Sequence, residues 1–185
     1  MRMTAIEPGT PKWHAALGDV RVEFTRVTER LITGPDTPID LAQSIDDRRR
    51  TWAGVCEITV AVDDDVMDTL NSDWISAGIV NDILVEACAN AAIHGKAAHV
   101  FIDVDWCADE EIMITATNDG STDDDGAPGM GSGLFDQVAI TWSREVVPGG
   151  LRLTVQLAVP RIKTSGDRAP TEHSHGQHAL VRMRA

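Results

Sequence analysis

The reading of the chain turns on Asp82-Ile83-Leu84-Val85-Glu86-Ala87-Cys88-Ala89-Asn90-Ala91-Ala92-Ile93-His94-Gly95. The stretch lacks proline, and its one glycine stands at the end, where a helix C-cap belongs. Apolar residues at Ile79, Ile83, Val85–Ala87 and Ile93 suit a helix with one buried stripe. Glu86, Asn90 and His94 follow at i, i+4 and i+8, which stacks an acid, an amide and an imidazole on one face. Taken alone, such a column is more often a solvated polar face than a site. The residues downstream change that weighing.

A strand-like run, Ala98–Val104, comes directly after the helix, and a second, Ile112–Ala116, leads into Asn118-Asp119-Gly120. The loop Gly129-Met130-Gly131-Ser132-Gly133-Leu134 then opens another helix. Glycines let backbone N–H groups approach phosphate oxygens, and a helix N-terminus adds a favourable dipole. By itself the loop reads as a flexible turn. It is not a Walker A loop, because no Gly-Lys-Ser/Thr follows, and it lacks the acidic residue of a dinucleotide fingerprint.

At 185 residues the chain allows one domain with appendages, and a hydrophobic content of 43% is ordinary for a globular protein. We expect a leader and helix over 1–38, the main domain over 39–160 and a disordered tail over 161–185. A net charge of -13 argues against general nucleic-acid binding, which needs cationic surface. It leaves room for a nucleotide, because Mg2+ and a few backbone N–H groups offset phosphate charge locally. No apolar run is expected to cross a membrane and no signal peptide is recognised. Cys56, Cys88 and Cys107 have no CxxC spacing and are expected to be reduced thiols in a cytoplasmic setting.

In chain order, Lys12–Ile32 is predicted helical, with Trp13, Leu17, Val20, Phe24, Val27 and Leu31 at three- and four-residue steps. That stripe would pack on the following domain or pair with a second copy. Asp40–Trp52 is a second helix, and the basic run Arg48–Arg50 reads as its solvated end. Glu57–Val62 is a strand; Asp63-Asp64-Asp65 reads as a cap for Val66–Leu70 rather than a metal site. The central helix runs over Trp74–His94, with a break expected near Gly78. His99–Asp105 and Glu111–Thr117 form a hairpin across Trp106–Glu110. Ile140–Val147 and Leu151–Pro160 form another across Pro148-Gly149-Gly150. These elements imply an α/β fold of two layers, with a mixed sheet and helices on one face.

Polar column, Asn-Asp-Gly turn and glycine-rich loop, in that order, resemble the ATP-binding domain of sensor histidine kinases, in the GHKL superfamily shared with DNA gyrase B and MutL. The likeness covers Ile39–Pro160 and is nearest to kinases that pair with response regulators of the NarL type. It implies a Bergerat-type sandwich that binds ATP and Mg2+. Asn90 would be the Mg2+ ligand, and Glu86 would orient or deprotonate the attacking group. His94 and Lys96 would reach phosphate oxygens. Asn118, Asp119 and Gly120 would meet adenine, and Gly129, Gly131, Ser132, Gly133 and Leu134 would form the phosphate loop.

The sequence departs from the family's Asp-x-Gly-x-Gly, reading Asn118-Asp119-Gly120-Ser121-Thr122. Asn118 stands where a carboxylate accepts the adenine amino proton, and an amide is a weaker acceptor. A second register uses Asp119 instead. Asp119–Gly126 falls where the family has its lid, expected to stay open without nucleotide and to close with Mg2+. The resemblance implies transfer of the ATP γ-phosphoryl group to a histidine on a domain absent from this chain, since His14 is followed by Ala15-Ala16 and lacks an acidic neighbour. His173, His175 and His178 read as incidental to the tail. Partners implied are ATP, a phosphoacceptor domain and a response regulator, with a homodimer possible through the N-terminal helix. No nucleic acid and no membrane contact are expected. Two alternatives stay open: an anti-sigma-factor-type serine kinase, and a degenerate nucleotide-binding or dimerisation module without turnover.

Overall fold

The computed structural model describes residues 10–12, 14–15, 38–120 and 130–161, with only the backbone of 130–132. The expected helix Lys12–Ile32, the lid region 121–129 with Gly129, and the tail beyond Arg161 lie almost wholly outside the described residues. Within them, His14 N donates to Thr10 O at 3.0 Å, one turn of helical bonding.

Helix α1 spans Leu41–Trp52 and is capped by Asp40, whose carboxylate accepts from Gln43 N. Strand β1 is Glu57–Val62. Asp63 caps α2, Asp64–Ser72, by accepting from Asp65 N and Val66 N. Asp73 caps α3, Trp74–Ala89, in the same way through Ile75 N and Ser76 N. Both acidic caps also complement the positive end of the helix dipole.

Four features of α3 differ from expectation. It runs unbroken through Gly78, because that position is buried where a side chain is not needed. It is buried nearly all round rather than along one stripe: Ser76–Gly78 and Val80–Ala89 are all buried, while Ile79 is only partly so. By length and composition Trp74–His94 is apolar enough to cross a membrane, against the expectation above, yet it is the core helix of the fold. Finally, α3 does not end as an α-helix. Asn90–His94 is wound as a π-turn, and Gly95 N donates to Asn90 O at 3.0 Å, a five-residue step.

The sheet order is β1-β2-β3-β5-β4, with β2 His99–Ala108, β3 Glu111–Asn118, β4 Thr141–Val147 and β5 Gly150–Ala158. Strands β1 and β2 are parallel and every other pair is antiparallel. Strands β2 and β3 extend beyond the expected limits and leave a two-residue turn, Asp109-Glu110, in which Glu110 takes φ 62. A bulge between Trp106 and Ala108 absorbs the register shift.

Ile58, Val100, Ile102, Val104, Ile112, Ile114, Ala116, Val155 and Leu157 alternate onto the buried face of the sheet. They meet Leu41, Trp52, Val66, Leu70, Val80, Ile83 and Leu84 of the helices in one core. The opposite face carries Thr59, Phe101, Asp103, Met113 and Arg152, all exposed. The architecture is therefore a two-layer α/β sandwich with a mixed sheet. Helix α4, Met130–Val138, packs against α3 and β4, and Phe135 meets Trp142 with ring centroids 5.4 Å apart.

The sharp point in the sheet is Gly150, with φ 158, where a Cβ would overlap the carbonyl oxygen of Asn118 on the neighbouring strand. Gly150→Ala is expected to destabilise the fold by about 3 kcal/mol through forced displacement of backbone. A fall in the urea midpoint with an unchanged slope would show this.

Candidate functional site

The π-turn places the candidate residues. Glu86 is buried, with 4% of its surface exposed, and Asn90 is half-buried one turn on. Asn90 Nδ2 donates to Glu86 Oε1 at 2.7 Å. A carboxylate only accepts, so this bond fixes the amide's orientation and turns its Oδ1 away from Glu86. Burial pushes the Glu86 carboxyl above its ordinary range, and the Asn90 bond offsets part of that rise. Burial thus makes Glu86 a stronger base than an exposed glutamate.

His94 does not complete the column. The wider winding after Asn90 means that four residues no longer make a full turn, and His94 is exposed. Past it, Gly95 keeps a right-handed φ of -78, and Lys96 takes the left-handed conformation at φ 52. Ala97 N then donates to Ala91 O at 2.9 Å, closing the helix one residue later than a Schellman motif would. The left-handed cap thus falls on Lys96 instead of the expected glycine. Lys96 is exposed.

Against this helix end lies the turn after β3. A Cβ on Gly120 would stand 2.6 Å from Gly95 O, so the two backbones touch directly. Asn118 is half-buried, and its Oδ1 accepts from Gly120 N at 2.9 Å. The amide therefore shapes its own turn and keeps its NH2 group and one lone pair for other partners. Asp119 is committed elsewhere. Its Oδ1 accepts from Ala98 N and His99 N at 2.8 and 2.9 Å, and its Oδ2 lies 2.7 Å from His99 Nδ1. Partial burial raises the Asp119 pKa, but these bonds outweigh it and hold the carboxyl below its usual value. Of the two registers, Asn118 has the side chain with more spare hydrogen-bonding capacity, since Asp119 already takes part in three bonds.

The glycine-rich segment differs in kind from the expected loop. Helix α4 begins at Met130, so Gly131, Ser132 and Gly133 lie within its first turn. Gly133 is exposed, with open space where a Cβ would stand. Leu134 is 3% exposed in the core, so its side chain anchors the helix and only its backbone remains for a ligand.

Two features escaped the sequence reading. Arg48 is 2% exposed, not a solvated helix end, and its Nη2 donates to Asn81 Oδ1 at 2.7 Å. Ser44 Oγ donates to the same oxygen at 2.7 Å, and Asn81 Nδ2 donates to Asp82. This buried polar network ties α1 to α3 five residues before Glu86. Its signal was the placement of Arg48 in step with Leu41, Ile45 and Trp52. The other is the His99–Asp119 clasp, which joins residues far apart in sequence. Cys56, expected to be reduced, is a buried thiol pushed up to about 12 by burial first and by nearby Cys88, Asp119 and Glu57.

The donor set fits a nucleotide with its metal. Asn90 Oδ1 is a hard oxygen of the kind Mg2+ takes together with water and phosphate. Among the described residues no cluster of three or more His, Cys, Asp or Glu could hold an ion unaided.

No family model matches the sequence, and no curated protein matches it. Solved structures do match in shape. The blue-light activated histidine kinase of Erythrobacter litoralis EL346 aligns with TM-score 0.50 and 17% identity over 75% of this chain and 47% of that one. Full-length ShkA in complex with AMPPNP aligns with TM-score 0.51 and 16% identity over 87% of this chain and 42% of that one. The chain spans less than half the length of either protein. At these identities the likeness is one of fold: the α/β fold of histidine kinase ATPase domains.

Because the Glu86 pKa is raised on folding, its ionised form costs stability above that pKa, and the cost disappears at acid pH. Glu86→Gln should therefore melt higher than the parent at pH 8. The two melting curves should converge below the ordinary glutamate value of 4.5. Equal midpoints at pH 8 would show that Glu86 ionises freely.

Proposed function

We propose that the chain is the ATP-binding catalytic portion of a two-component sensor histidine kinase, acting in the cytoplasm on a phosphoacceptor histidine supplied from outside the described residues. The observation that carries this reading is the direct backbone contact of Gly95 and Gly120. It sets the Glu86–Asn90 pair beside the Asn118–Gly120 turn. The ShkA structure, which matches in fold, holds AMPPNP, and this supports a nucleotide as the ligand.

Roles then follow from chemistry. Asn90 Oδ1 would hold Mg2+, which supplies neutralisation of phosphate charge. Glu86 would take or steer the proton of the attacking imidazole, its burial matching its basicity to that task. Gly120, lacking a side chain, lets the turn close on Gly95, and Asn118 would offer the base an amide edge. Lys96 and His94, both exposed at the helix end, are within the segment that would meet phosphate oxygens. The backbone N–H groups of Gly131 and Ser132, in the first turn of α4 and without intrahelical partners, would face phosphate, with Gly133 following them. Catalysis of this kind is mainly positioning and electrostatics. A response regulator of the NarL type and pairing through the N-terminal helix complete the proposal.

A second reading, a nucleotide-binding module without turnover, is favoured by Asn118, whose neutral amide is already engaged with Gly120 N–H. The serine-kinase alternative has no such observation behind it.

Calorimetry with Mg-ATP should register binding that weakens at least tenfold on Asn90→Ala, or when EDTA removes the metal. Absence of heat at millimolar nucleotide would end both readings. Asn118→Asp should tighten ATP binding by roughly threefold to tenfold, since a charged acceptor replaces a neutral one. Unchanged or weaker binding would remove Asn118 from the base site. Phosphate transfer to a supplied acceptor domain separates kinase from silent module.

A further inference from the structure

His99, which clasps Asp119, has no role assigned above. His99 opens β2, on the exposed face of the sheet, paired in register with Glu57 of β1. Its Nδ1 lies 2.7 Å from Asp119 Oδ2, and its Nε2 lies 3.6 Å from Glu57 Oε2. Its backbone N–H also donates to Asp119 Oδ1, and its carbonyl accepts from Asp119 N at 3.3 Å. The imidazole thus bridges two carboxylates on the strands either side of β2. One of those carboxylates sits between Asn118 and Gly120.

Charges facing the ring can be counted element by element. Strand β1 presents Glu57 and the end of β3 presents Asp119. On β2 itself the next residue on that face is Phe101, which is apolar. The helices pack on the opposite face of the sheet. Among the described residues, exposed Lys96 forms no ion pair with the cluster. Among the described residues, two acids and no competing cation therefore face His99.

We propose that His99 is a positioning residue for the nucleotide site, holding the Asn118–Gly120 turn in place through Asp119, and that its protonation tunes nucleotide affinity. This rests on the nucleotide reading given above. The charged imidazole donates from Nδ1 to Asp119 and from Nε2 toward Glu57, and a charge-assisted bond is about twice as strong as a neutral one. Loss of the proton leaves one N–H and two unneutralised carboxylates. Asp119 is then held less firmly, and Gly120 with it. The hydrogen bond to Asp119 raises the His99 pKa above 6.5, against a smaller opposing effect of burial. The clasp is thus complete below pH 6.5 and weakens as pH rises through the elevated value.

The test measures Mg-ADP affinity by calorimetry from pH 6 to pH 9 for the parent chain, His99→Gln and His99→Ala. The nucleotide's own titration is common to all three and cancels in the ratios. We expect parent affinity to fall roughly threefold to fivefold across the range beyond that of His99→Gln. His99→Gln, whose amide can donate to Asp119 without titrating, should bind nearly as well as the parent at pH 6. His99→Ala should bind severalfold more weakly at every pH. Three superimposable profiles, or an alanine variant equal to the glutamine one, would overturn the inference while leaving the nucleotide site intact. A parent chain that binds no nucleotide at any pH would sink the nucleotide reading itself, and this inference with it.

Discussion

The site depends on one close approach: the carbonyl of Gly95 and the α-carbon of Gly120 are nearer than any side chain would allow. Those residues end two different elements, the core helix and the central strand β3. Their contact sets the distance between the Glu86–Asn90 pair and the Asn118 turn. On the other side, Gly150 lets β5 press against the Asn118 carbonyl. The turn is therefore fixed by backbone from two directions and by the Asp119 carboxylate from a third. Contact between main chains is stiffer than contact between side chains, because it has no rotamers to relax into.

The core helix carries unusual polarity for its burial. Asn81, Asp82 and Glu86 are each at most 5% exposed. Arg48 and Ser44 satisfy Asn81 from α1, and Asn90 satisfies part of Glu86. Buried polar groups are tolerated only when bonded, and each such bond specifies a single packing of the helices. The α1–α3 network thus locks the helix whose far end bears Glu86. Glu86 is the member held at a cost, which is where chemistry is expected on physical grounds.

Much of this was legible in the sequence. Glu57–Val62 was placed to the residue by its alternation, and the run Asp63-Asp64-Asp65 was read as a helix cap, of which Asp63 proves to be the capping residue. The Pro148-Gly149-Gly150 turn fixed the last hairpin. The π-turn was not legible, because an extra residue in one helical turn leaves no compositional mark. It displaced His94 from the column and moved the left-handed cap to Lys96. Gly129–Leu134 was read as a phosphate loop opening a helix, on the access its glycines give to backbone N–H groups, yet the first turn of α4 already includes Gly131–Gly133, its downstream Leu134 and Phe135 buried in the core. Arg48 was misjudged because charge was weighed above periodicity. Asp119 was read as a candidate for the ligand, since nothing local reveals that Ala98 and His99 claim it across the sheet.

Strand order has a consequence for how freely the chain can vary. Asn118 at the end of β3 pairs with Leu151 near the start of β5, so the chain between them forms a closed excursion anchored at both ends by the sheet. Closing such a loop costs entropy that grows only logarithmically with its length, about 0.6 kcal/mol for each doubling. Insertions between Gly120 and Met130 would thus come at little expense to the sheet. Divergence in that interval is physically inexpensive, whereas a single added methyl at Gly120 or Gly150 is not.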